Sequence, residues 1–176
     1  STNVAPANLG AGRISLVTVT FTTATTLASD GKIKITFPAG FDVSGVNRAA
    51  CSTMDGNFTP TVSGQAVTIS RSIGTNQAAA AESCTLDSTI GDTIRNPGAL
   101  GSTGTYSIQI LNSTSEVVQE DSAVAADTIT ASLTSTNVQP ASLVAGAAGN
   151  VTISFTTTDE VRDNGKVKVT FPSGFT

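Results

Sequence analysis

Residues 31–41 read GKIKITFPAGF, and residues 165–176 read GKVKVTFPSGFT. In the first stretch Ile33, Ile35 and Phe37 alternate with Lys32, Lys34 and Thr36. Successive side chains of an extended strand point to opposite faces, so one face here is apolar and the other carries charge and hydroxyls. That is the mark of an antiparallel sheet with one wet side. The same alternation recurs at Val17, Val19 and Phe21, at Val67 and Ile69, at Tyr106, Ile108 and Ile110, and at Ile129, Ala131 and Leu133. Turn residues fall between these runs. Ser29-Asp30-Gly31 and Asp163-Asn164-Gly165 predict tight turns with positive φ, and Asp55-Gly56-Asn57, Ser63-Gly64 and Asn96-Pro97-Gly98 punctuate further. The one helix candidate, Gln77 to Glu82, is too short to stand alone. The expected fold is all-β: an Ig-like antiparallel sandwich of seven to nine strands.

The two quoted stretches belong to a longer repeat. With the chain displaced by 134 positions, residues 1–42 fall on residues 135–176 without a gap, and 22 of those 42 positions are identical. Most of the others are exchanges such as Ile33 to Val167. A period of that length has the size of a β-sandwich domain and exceeds that of helical solenoids. The expected organisation is a complete repeat over 1–134 and the first third of a second over 135–176.

Composition sets the surroundings. The chain has 29 Thr and 20 Ser in 176 residues, but only 12% charged residues and no His or Trp. Such a hydroxyl-rich surface suits an extracellular or cell-surface protein. The net charge is −4 and the nine Lys and Arg do not cluster, so no footprint for nucleic acid is visible. No apolar run approaches the ~18 residues of a membrane span. Cys51 and Cys84, 33 positions apart, suit one disulfide made in an oxidising compartment; two buried thiols are the alternative.

The order TFTTATTL (20–27), GKIKITFPAGFD (31–42), VSGQAVTIS (62–70), IRNPG (94–98) and GTYSIQI (104–110) resembles tandem Ig-like repeats of very long secreted or surface proteins of bacteria, algae and related protists. The likeness spans essentially the whole period. It implies an extracellular structural setting and no particular ligand. Cys51 and Cys84 depart from the usual pattern of such repeats.

Catalytic chemistry finds little support. Without His the commonest general base and metal ligand is missing, and no Ser–His or Cys–His pair can form. Gly10-Ala11-Gly12 precedes a strand and reads as a bend. Asp159, Glu160, Asp163 and Asn164 have oxygen ligands suited to Ca²⁺, but the first copy has Thr25, Thr26, Ser29 and Asp30 there, which favours a solvated turn. Lys32, Lys34, Lys166 and Lys168 sit on the wet face, where charge discourages stray edge pairing rather than serving an isopeptide bond. No metal or other cofactor is expected. Asn57, Asn112 and Asn150 head N-x-Ser/Thr sequons and are glycosylation candidates, the first weakened by Pro60.

Residues 135–176 are too few to bury their own apolar side chains. Val151, Ile153, Phe155, Val167, Val169 and Phe171 should therefore form an assembly face, completed by adjacent repeats of the same chain or by strands lent by other copies. The sequence predicts a structural subunit of an extracellular filament or appendage, whose partners are copies of itself head to tail. The alternative is the stalk of a repeat-containing adhesin.

Overall fold

The computed structural model describes residues 1–90, 93–131, 133–158, 161 and 165–175. The chain divides into two compact units, Ser1–Ala131 and Ser132–Thr176. Among the described residues every regular element is a strand.

Two main sheets build the first unit. One consists of β1 (Asn3–Pro6), β3 (Val17–Thr22), β8 (Ala81–Asp87) and β5 (Arg48–Cys51), in the order β1-β3-β8-β5. The other consists of β4 (Lys32–Thr36), β6 (Asn57–Ser63), β7 (Ala66–Ser72), β11 (Tyr106–Leu111) and β12 (Val117–Val124), in the order β12-β11-β4-β7-β6. Neighbouring strands in both are antiparallel. Two short ribbons, β2 (Ile14–Ser15) with β9 (Ile94–Arg95) and β10 (Gly101–Ser102) with β13 (Thr128–Ile129), complete the unit.

In chain order, β1, β3, β8 and β5 occupy the places of strands A, B, E and D of an immunoglobulin domain, and β4, β11 and β12 those of C, F and G. The β6–β7 hairpin is additional: it follows D and extends the second sheet beyond C. The first unit is thus an Ig-like sandwich with nine strands in its two main sheets.

Alternation makes the core. Val17, Val19 and Phe21 of one sheet, and Ile33, Ile35, Val67, Ile69 and Ile108 of the other, are all buried. Fully burying a side chain of this size stabilises by about 1.5–3 kcal/mol. Phe37, Phe41 and Tyr106 form an aromatic cluster at one end, with ring centroids 5.5–5.7 Å apart. The Tyr106 hydroxyl donates to Asp127 Oδ2 at 2.7 Å. Burial first, then that carboxylate, pushes its pKa upward, so the phenol stays neutral.

Three local expectations differ from the structure. Gln77 to Glu82 forms no helix; Glu82 lies in β8, because its apolar neighbours Cys84 and Leu86 recur every second residue. The run from Ile129 to Leu133 is not one strand: β13 ends at Ile129 and the next strand starts at Leu133. Gly31 has no positive φ. It is glycine for space, since a Cβ there would lie 2.9 Å from Leu27 Cδ1 and 3.2 Å from the Ala28 carbonyl oxygen. Asp163-Asn164, the companion turn, lies outside the described residues.

The second unit contains one hairpin, β14 (Leu133–Pro140) with β15 (Val151–Thr157). Residues 165–171, which repeat β4, form no strand. In the first unit β4 is paired on both edges, by β7 and β11. Nothing equivalent flanks its repeat among the described residues, and a strand exists only through its neighbours.

Candidate assembly surface

The second unit copies the opening of the first in detail. Asn3↔Thr20, Val4↔Val19, Ala5↔Thr18 and Pro6↔Val17 pair in the first unit. Asn137↔Ser154, Val138↔Ile153, Gln139↔Thr152 and Pro140↔Val151 pair in the second, each partner displaced by 134. The connecting loops match as well. Ala7 N donates to Leu16 O at 3.0 Å, and Ala141 N to Asn150 O at 2.9 Å. Gly12 and Gly146 hold φ of 68° and 73°, a left-handed conformation open to glycine without penalty.

Burial does not match. Val4, Val19, Ile33, Phe37 and Phe41 are 0%, 0%, 1%, 2% and 3% exposed; their counterparts Val138, Ile153, Val167, Phe171 and Phe175 are 49%, 40%, 57%, 40% and 55% exposed. Val151, Phe155 and Val169 are half-buried. None of the six residues expected on the assembly face is fully buried. Phe171 and Phe175 lie against each other, with ring centroids 5.5 Å apart. One edge of β15 holds β14; the other has no strand partner among the described residues.

The edges of the first unit are guarded. Pro60 interrupts the donor row of β6, where it stands opposite Ile69. Glu120 and Asp121 place charge on β12. β1 and β5 are four residues long. Cys51 and Cys84 are bonded, and they are register partners of β5 and β8. The bridge therefore ties an edge strand to its neighbour within one sheet, not sheet to sheet.

Three polar clusters support the sandwich. Arg71, in line with Val67 and Ile69 on the inward face of β7, donates from Nε to Asp55 O at 3.0 Å and from Nη1 to Ala28 O at 3.2 Å, and pairs with the Asp55 carboxylate. Thr75, through its hydroxyl and its amide, is the main cause that holds the Asp55 carboxyl below its ordinary value; Arg71 adds to it. Glu82, in line with Cys84 and Leu86, accepts from Thr53 Oγ1 at 2.6 Å. Alternation in the sequence already put both charges on apolar faces. The loop of residues 52–56 that satisfies them has no comparable sequence signal. A cleft of about 380 Å³, lined by Thr2, Phe21, Ile108, Gln119 and Asp121 among others, opens between the sheets. Its polar side chains are already engaged: Gln119 bonds Ala24 N and Thr25 Oγ1, and Asp121 accepts from Thr2.

The sequons occupy different settings. Asn57 and Asn150 are exposed. Asn112 is half-buried, and its amide is folded into the β11–β12 turn: Nδ2 donates to Glu116 Oε2 at 2.7 Å, and Oδ1 accepts from Glu116 N at 2.8 Å. Lys32 Nζ donates to Ser115 Oγ at 2.7 Å on the wet side of the same sheet. Among the described residues no group of three or more His, Cys, Asp or Glu side chains could hold a metal ion. Asp159, Glu160, Asp163 and Asn164 lie outside those residues. No helix among the described residues is long and apolar enough to cross a membrane.

The strand order defines the class: an Ig-like β-sandwich followed by the opening hairpin of a second copy. No protein-family model matches the chain, and no curated protein matches it. It is similar in structure to a non-cellulosomal cohesin from the hyperthermophilic archaeon Archaeoglobus fulgidus, at 12% identity and a TM-score of 0.40, over 68% of this chain and 82% of that one.

Proposed function

We propose that this chain is a structural subunit of an extracellular filament or surface appendage, built from tandem or strand-complemented Ig-like units. The observation that carries it is the contrast in burial between two copies of one segment: the same apolar positions are covered in the first unit and open in the second. Each such side chain gains about 1.5–3 kcal/mol on full burial, so a face of this kind drives association. A contact between an opening hairpin and a different part of another repeat is head-to-tail. Contacts of that type do not close on themselves and generate rows or fibres. The disulfide and the hydroxyl-rich surface support an extracellular setting.

Electron micrographs of the purified protein, with light scattering across a concentration series, test the proposal. Fibres of regular width that grow with concentration are the expected result. Discrete particles of 17.6 kDa at every concentration would overturn it.

A further inference from the structure

We infer that the open edge of β15 is the docking edge for an antiparallel strand of the β8 kind, supplied by a repeat unit whose own opening third is vacant. The inference deepens the filament reading and rests on it for the source of that strand.

In the first unit β3 lies between β1 and β8. Its register with β8 places Val17 opposite Leu86, Val19 opposite Cys84 and Phe21 opposite Glu82. The β14–β15 hairpin keeps the β1–β3 register residue for residue, with the same loop hydrogen bonds and the same left-handed glycine. It already has the shape that β8 meets in the first unit, so docking requires little reordering of the receiving strand. Displaced by 134, the register sets Val151 opposite the Leu86-type position, Ile153 opposite the Cys84 type and Phe155 opposite the Glu82 type.

The edge is also unguarded. Val151–Thr157 reads VTISFTT, with no charge and no proline. The outer strands of the first unit are short, charged or interrupted by Pro60. A closed copy of this chain does not offer the required strand, because its β8 is held by β3 on one side and β5 on the other. Releasing residues 1–42 to free it brings no gain. Leu27, Ile33 and Ile35 would be replaced by Val161, Val167 and Val169, and Val19 by Ile153, a net loss of two methylene groups from the core. The docking partner is therefore a repeat with a free β8-type edge.

A register-specific crosslink tests this on the full chain. Ile153→Cys and Ser154→Cys variants are each incubated with a synthetic peptide of residues 80–88, which carries Cys84, in a glutathione redox buffer. Side chains one residue apart face opposite sides of a strand, so the peptide should couple to Ile153→Cys about tenfold more than to Ser154→Cys. Equal coupling at both positions, or none at position 153, overturns the inference. Predominant disulfide-linked dimers of the Ile153→Cys chain itself, with peptide present, would put a second copy's β15 on this edge and also overturn it. Fibres without the crosslink leave the filament reading standing and remove the docking edge; the crosslink without fibres does the reverse.

Discussion

Arg71 shows how far alternation alone can be read. Its position follows Val67 and Ile69 by steps of two, which puts it on the inward face, and its side chain is 1% exposed. Periodicity reports the face but not how a buried guanidinium is satisfied. That depends on the path of residues 52–56, which bring the Asp55 carbonyl and carboxylate to it. Removing a charged donor from buried acceptors costs about 1.5–3 kcal/mol, so Arg71→Met should lower the stability in urea by that amount. A shift no larger than that of an exposed substitution would contradict the assignment. Asp55 adds a pH dependence. Its carboxyl is held below the ordinary 3.8 by Thr75 and Arg71, so its contribution is complete above that value and disappears as the pH falls through the lower, folded one. The urea midpoint should drop as the pH falls below 3.8, and Asp55→Asn should make that drop smaller.

Whole elements were legible where they lie between two partners. β3, β4, β7 and β11 are each signalled by alternating apolar residues, and each is flanked on both sides. Edge elements were not. β5 has the sequence RAAC and pairs only with β8, and β12 reads VVQEDSAV without a clean period. What defines such strands is the neighbour they pair with, and a single segment does not record it. The disulfide matters most at β5, which otherwise depends on four register pairs with β8. Replacing both cysteines with serine should cost roughly 3–4 kcal/mol in the chain-entropy model, read as a lower melting temperature. Amide exchange over residues 48–51 should rise before that of β3 or β8. Uniform destabilisation without that local opening would argue against the role of the bridge at this edge.

At the scale of the molecule, the repeat was legible from identity alone, because 22 matches in 42 positions need no structural model. The lack of a strand at residues 165–171 was not, because the same residues form β4 when β7 and β11 flank them. A strand and its sequence part company when the neighbours are absent. That contrast also fixes the expected behaviour on assembly. Phe155→Asp should abolish fibres while leaving the thermal transition of the first unit unchanged, since the two units are compact separately. The central claim is that β15 becomes in the assembly what β3 is in the first unit. Hydrogen exchange on the assembled protein reads this directly. The account predicts that the amides of Val151–Thr157 become as protected as those of Val17–Thr22; fibres in which Val151–Thr157 still exchange as freely as in the isolated chain would contradict it.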